Sequence, residues 1–456
     1  MSNFRRRRRS RRKADIFDAE RSRPNMASGF VDNDLTPEAQ EAARTAQMSF
    51  IEDPGLRTIS VFLRTKDHDD FSQCLTSLLA DMMQECLLEF VHANGGQVVL
   101  ANRINDRGQV VTPNVRSVRI EDDERGFIRD GHVFIHFPNE RVVVSAAESF
   151  PGEEMFVIVD VCSDSDSSSF FDRWEDFTVE HNFLKGRSLF ADGELIQRER
   201  PYTWEDILLP DATMHTVQLH VESFLRNRQV LKDMGVKPRR GLLLSGPPGT
   251  GKTLLGKVLA DNLESTFIWV SPRHITSPNS FARILETARF LSPAVLFLED
   301  IDLFGEDREG KGGFALGELM NQLDGAIDNE DIVTIATTNR VEVVEKALRN
   351  RPGRFDRIIQ FDAMDERCRR LMLDKLLSKA AISPEDMDYL VAASNGRTGA
   401  RIAELANTIY MVSVDENAFE SDNGSVRRVA ANRELLDTAL EEVQTDLKGG
   451  IGFNRP

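Results

Sequence analysis

Nowhere in the 456 residues do about 18 apolar residues run together, so no membrane-spanning helix is expected. The positively charged start is not followed by an apolar core, so no secretory signal is indicated, and the chain is expected to be soluble, intracellular and cytoplasmic. Cysteine is scarce: Cys74, Cys86, Cys162 and Cys368 stand apart without metal-ligand spacing. That scatter predicts reduced, buried structural thiols rather than a zinc site or a disulfide framework. No H-E-x-x-H motif is present and the histidines do not cluster, so a zinc metalloprotease centre is excluded as well. No internal repeat occurs.

Positive charge is in deficit. The formal net charge is −17 although Arg5 to Arg9, Arg11, Arg12 and Lys13 are packed into the first residues, so the remainder is more acidic still. Such a body binds phosphate backbones poorly, whereas the short arm suits nucleic acid, an acidic partner or a nuclear import receptor. The arm has no aromatic residues among its arginines, and a solvated disordered tail is the competing reading.

The length exceeds what one core usually supports, so two or three domains are expected. Residues 1–45 read as a disordered basic arm. Residues 46–200 read as an α+β N-terminal recognition domain and linker. Its helix is expected over 68–93, from the helical spacing of Phe71, Cys74, Leu75, Leu78, Leu79, Met82, Cys86, Leu87 and Phe90 before Gly95-Gly96. Short β-rich runs follow at 97–100, 115–120, 132–137, 141–145 and 155–161. From Pro201 to residue 362, strand and helix alternate, which predicts an α/β fold, a parallel sheet sandwiched by helices. Strands are expected at 241–245, 266–270, 294–298, 332–336 and 358–361. Beyond Asp362 the strands are expected to stop, leaving residues 363–456 as a helical small subdomain and C-terminal tail.

The sequence Gly246-Pro247-Pro248-Gly249-Thr250-Gly251-Lys252-Thr253 matches G-x-x-x-x-G-K-[ST] between an expected strand and an expected helix. Glycines there let backbone N–H groups turn around phosphate oxygens, Lys252 neutralises phosphate charge and Thr253 offers a hydroxyl to Mg2+. Leu254 follows in the same segment. The run Val295-Leu296-Phe297-Leu298 then delivers Glu299, Asp300 and Asp302 at a strand's C-terminal end, where ligand crevices of parallel sheets lie. One acid suits the metal and its neighbour suits the attacking water.

Over residues 201–412 these motifs resemble the AAA family of P-loop ATPases, with its Walker A segment at Gly246–Thr253. Thr337-Thr338-Asn339-Arg340 looks like the family's first sensor, in which Asn339 helps to place the attacking water. Leu348 to Arg357 is similar to its second region of homology, and by that resemblance Arg351 and Arg354 are arginine fingers for a neighbouring subunit's ATP. Gly399-Ala400 resembles the second sensor segment. Asp206 and Ile207 lie where the family contacts adenine, and a hydrophobic turn without ligand contact is the alternative.

The pattern departs from the family twice. The acidic strand ends Glu299-Asp300, where most members have aspartate then glutamate; a branch resembling the mitochondrial respiratory-complex assembly AAA ATPases shares this order. Residues 272–281 carry no aromatic-hydrophobic-glycine grip for threading polypeptide, and Phe281 reads either as a pore residue or as a core position of the next helix. The resemblance implies ATP and Mg2+ as ligands, with Thr253 and Glu299 toward the metal, in a homo-oligomeric ring, usually of six. The expectation is a chaperone-like ATPase that remodels or assembles a protein partner held by the N-terminal domain. A nucleic-acid-associated ATPase using the arginine arm, or a slow nucleotide-gated scaffold, are the alternatives.

Overall fold

The computed structural model describes residues 35–448 apart from 43, 45–58, 60–61, 65–67, 105–108, 121–122, 151–153, 163–165, 238, 276–278, 306–328, 341, 343–354, 417–418 and 423–424. The chain divides into two compact units, Met1–Lys185 and Gly186–Pro456.

The first unit is built on an antiparallel sheet. Its strands are β1 (His68–Thr76), β2 (Gln97–Ile104), β3 (Val110–Val111), β4 (Asn114–Ile120), β5 (Asp123–His136), β6 (Arg141–Phe150) and β7 (Glu154–Cys162). They run in the order β1-β7-β6-β5-β2-β3, with β4 beside β5. Helices α1 (Ser77–Ala93) and α2 (Ser167–His181) are joined by a hydrogen bond from the Trp174 indole to the Met83 carbonyl (2.9 Å).

The helix expected over 68–93 starts later than its apolar spacing suggests. Residues 68–76 form β1 instead, paired antiparallel with β7 from His68 opposite Cys162 to Thr76 opposite Glu154. Exposure alternates along Phe71, Ser72, Gln73, Cys74 and Leu75, a period of two that happens to overlap a helical one. Thr76 makes the switch, because its hydroxyl accepts from the Leu79 N–H and caps α1. Cys86 and Cys368 are buried as expected, but Cys74 is exposed on the outer face of β1. Against the disorder expected to residue 45, residues 37–42 are helical, and Leu35, Ala39 and Ala42 are buried with Phe62, Val99, Phe134 and Val143. The Arg5–Lys13 run lies outside the described residues.

The second unit begins with β8 (Ser188–Phe190), within the stretch expected as linker. It pairs parallel with β10 (Thr266–Val270) at the edge of a six-stranded sheet completed by β9 (Arg239–Ser245), β11 (Ala294–Leu298), β12 (Ile332–Thr338) and β13 (Arg357–Gln360). The order is β13-β9-β12-β11-β10-β8, and all pairs are parallel. Every residue of β10, β11 and β12 is buried, which is why these strands, threonines apart, are apolar throughout rather than alternating. Helices α3 (Asp211–Gln218), α4 (Phe224–Asp233), α5 (Lys252–Asn262) and α6 (Ser280–Phe290) belong to this part, α3 and α4 being joined by a π turn at Leu219–Ser223. This is an α/β fold on a parallel sheet.

Beyond residue 362, α7 (Glu366–Leu376), α8 (Pro384–Ala393), α9 (Gly399–Asp415) and α10 (Arg433–Lys448) share a core of Leu373, Leu390, Ile402, Leu405, Leu436 and their neighbours. Asp365 and Ser383 cap α7 and α8 through bonds from the Cys368 and Asp386 N–H groups. Strands do not stop here as expected. β14 (Ala380–Ala381), β15 (Phe419–Asp422) and β16 (Ser425–Ala430) form a small sheet ordered β14-β16-β15. β14 is two residues long and β15 is acidic and polar, so neither carries an apolar run that sequence patterning detects.

Candidate nucleotide site

The order of the large parallel sheet sets the place. From β9 the chain crosses to β10 at the far side of β11 and β12, and β13 returns on the opposite side of β9, so a crevice opens at the carboxyl ends of β9 and β12. The loop from Gly246 to Gly251 leaves β9 there. Gly246 (φ 155°) passes so close to the chain just after β13 that a Cβ would lie 2.0 Å from the Phe361 carbonyl oxygen. Gly249 (φ 79°) would place a Cβ 2.7 Å from that of Ala400. Only glycine satisfies both the conformation and the space at these two positions.

Lys252 opens α5 with its side chain turned inward and is 6% exposed. Its ammonium donates to the carbonyls of Gly246 (2.6 Å) and Pro247 (2.9 Å), and Thr250 donates to the same Pro247 carbonyl (2.9 Å), while Pro248 is exposed. Burial lowers the Lys252 pKa, opposed by the charges of Asp300 and Asp302. Among the described residues this buried ammonium is held by carbonyl oxygens and has no anionic partner in contact, and phosphate oxygens are the acceptors that suit it. Leu254 packs against the core below.

The two acids at the end of β11 diverge. Glu299 Oε1 accepts from the Thr253 hydroxyl (2.9 Å) and Oε2 accepts from the Trp269 indole (3.0 Å). A hydroxyl and a carboxylate side by side form the hard oxygen set that suits Mg2+, so the residues fit that ion. Asp300 turns the other way, at φ 50°, a left-handed conformation uncommon outside glycine though tolerated by aspartate. Its N–H donates to the Thr337 hydroxyl (2.9 Å) and its Oδ1 accepts from the Asn339 side-chain amide (3.2 Å). Burial, then the neighbouring Glu299 and Asp302 charges, raise its pKa above the usual carboxylate range. Such a carboxylate is a better proton acceptor than an exposed one.

Asp302 is 3% exposed and takes bonds from the Thr338 hydroxyl (2.9 Å), the Asn339 N–H (3.2 Å) and Arg340 Nε (3.4 Å). It therefore fixes the turn that aims Asn339 at Asp300. Ala400 N–H donates to the Gly249 carbonyl (3.1 Å), which seats the start of α9 on the glycine-rich loop.

Residues 242–363 match the family described as ATPase family associated with various cellular activities (AAA). The chain carries a AAA domain. A 26S proteasome regulatory subunit 6B homolog of Aspergillus niger is 34% identical over 241 residues, 49% of this chain and 56% of that protein. A cell division cycle protein 48 homolog of Archaeoglobus fulgidus is 30% identical over 270 residues, 55% of this chain and 37% of that protein. An ATP-dependent zinc metalloprotease FtsH of Slackia heliotrinireducens is 31% identical over 271 residues, 55% of this chain and 34% of that protein. The matched part thus spans only about half or a third of these relatives.

The structure brings together Gly246 to Thr253, Glu299, Asp300 and Asn339 of the AAA domain, and with them Gly399 and Ala400 from beyond the matched residues. Arg351 and Arg354 lie outside the described residues. Asp206 and Ile207 are engaged elsewhere. Ile207 is 3% exposed in the sheet's core, and Asp206 accepts from the Thr203 N–H (2.8 Å) and hydroxyl (3.1 Å) and pairs with Lys375 of α7 at 3.7 Å. Those turn hydrogen bonds lower the Asp206 pKa. Phe281 is 2% exposed inside α6, so it is a core position and not a pore residue. Sequence reading missed the anchoring roles of Asp302, Thr337 and Trp269. Their partners lie 30 or more residues away, and the only local hint was an indole, with its polar N–H, in an otherwise apolar strand.

Proposed function

We propose that this chain binds ATP with Mg2+ and hydrolyses it, and that it does so between the subunits of a homo-oligomeric ring to remodel or assemble a protein partner. The observation that carries the hydrolytic part is the separation of the two acids: Glu299 beside the Thr253 hydroxyl, Asp300 beside Asn339. Thr253 and Glu299 would hold Mg2+, which when bound neutralises phosphate charge. Lys252 and the loop N–H groups bind the phosphates, Asp300 accepts the proton of the attacking water, and Asn339 orients that water. Arg351 and Arg354, reaching a neighbour's nucleotide, would stabilise its transition state and make turnover depend on assembly. The N-terminal unit is the recognition element in this reading. Relatives named for the proteasome and for cell division cycle protein 48 support the protein-remodelling side of it.

Steady-state ATP turnover of the whole chain tests the hydrolytic part. Wild type is expected to turn over ATP only with Mg2+ present, and Lys252→Ala to lose both nucleotide binding and turnover. A wild-type chain that binds ATP and never releases phosphate, at any protein concentration, contradicts it.

A further inference from the structure

The two oxygens of Glu299 are held by different parts of the fold. Oε1 meets Thr253 at the start of α5, whereas Oε2 accepts from Trp269, which lies on β10. The indole cannot drift: Trp269 is 6% exposed, and its ring lies 4.7 Å from that of Phe297 and 6.1 Å from that of Phe267. The sheet register sets this geometry, because Trp269 pairs with Phe297, two positions before Glu299. An indole N–H only donates, and here its bond goes to the carboxylate. Glutamate has one more rotatable bond than aspartate, and fixing that freedom costs entropy unless something already holds it.

We propose that Trp269 is a positioning residue for metal binding: its indole N–H holds the long Glu299 arm so that this carboxylate and the Thr253 hydroxyl meet one Mg2+ together. The inference rests on the reading of Thr253 and Glu299 as the metal-side residues. Outer hydrogen bonds to ligating side chains are typically worth about 10–100-fold in metal affinity. The donor lies in a rigid aromatic stack, so it orients the carboxylate before any ligand arrives. An aspartate at 299 would fall short of the indole and gain nothing from it.

The test is binding of a fluorescent ATP analogue to the whole chain while Mg2+ is titrated, for wild type, Trp269→Phe, Glu299→Asp and the double variant. Phenylalanine keeps the aromatic packing and removes only the donor. Trp269→Phe is expected to keep its metal-free affinity for the analogue and to need about 10-fold more Mg2+ for half-maximal effect. In the Glu299→Asp background the same change is expected to cost nothing further. Equal Mg2+ requirements in wild type and Trp269→Phe, or an equal penalty in both backgrounds, overturn the proposal, and so does loss of metal-free binding, which marks a packing role. A wild-type chain whose nucleotide binding ignores Mg2+ defeats the metal reading of Glu299 itself.

Discussion

Both units bury charge, and they do so in opposite ways. In the first, Arg129 (3% exposed) donates to Asp81 (2.9 Å), and nearby Gln84 satisfies both backbone groups of Ile128 (2.9 and 2.7 Å). Burial outweighs the guanidinium and pushes the Asp81 carboxyl up to about 6. In the second, Lys252 is nearly as buried, yet its bonds go to backbone carbonyls, and the nearby acids Asp300 and Asp302 act on it only through their charge. A charge closed on its own partner serves the fold. One held by carbonyls, with acids across from it, is poised for a ligand.

Two substitutions separate these uses most strongly. Asp300→Asn removes the proton acceptor while keeping the left-handed turn that asparagine also tolerates, so single-turnover hydrolysis should fall about 10²- to 10⁴-fold with ATP affinity retained. Loss of affinity instead would make Asp300 a binding group. Arg129→Met should cost the first unit about 3–5 kcal/mol in denaturant unfolding at neutral pH, because Asp81 is left buried without its partner. Turnover per folded molecule should be unchanged. A loss well under that range would mean that Asp81 protonates at little cost.

Acid should push the two regions in opposite directions. The folded pKa of Asp81 is raised above its unfolded value, so between about 4 and about 6 the folded state binds more protons and unfolding stability falls as pH rises. Mild acid therefore favours the first unit, and Asp81→Asn should flatten that slope. The proposed base, Asp300, can act only when ionised, and with its pKa raised the hydrolytic step should fail on acidification before an ordinary carboxylate would protonate. A turnover that does not fall on acidification contradicts the proposed role of Asp300. The smallest effect is expected of Gly249→Ala, whose left-handed backbone costs a non-glycine residue about 1–2 kcal/mol before the clash with Ala400 is counted. It should weaken nucleotide binding and leave the first unit's unfolding untouched.

The same contrast explains what the sequence revealed. The loop from Gly246 to Thr253 and the strands at 266–270 and 294–298 were legible to the residue, because phosphate binding and double-sided burial each impose a local pattern. Asp302 was visible only as one more acid, since its clamp on Thr338 and Asn339 exists only once β11 and β12 are neighbours. The first unit has no ligand motif, so only periodicity was available, and at 68–76 Phe71, Cys74 and Leu75 satisfied the helical period by accident. Pairing with β7 overrode it. β8 escaped notice because three residues carry too little pattern, although the sheet edge they occupy belongs to the nucleotide unit.

Mixing two inactive chains tests most directly whether ATP is hydrolysed at sites shared between subunits. Lys252→Ala is expected to lack the phosphate-binding ammonium and Arg354→Ala the guanidinium offered to a neighbour, so each alone should be inactive. Mixed, they should regain turnover, because an Arg354→Ala subunit with its own Lys252 can receive Arg354 from a Lys252→Ala neighbour. Turnover that stays absent in the mixture, while wild type alone is active in proportion to its concentration, would contradict a shared site.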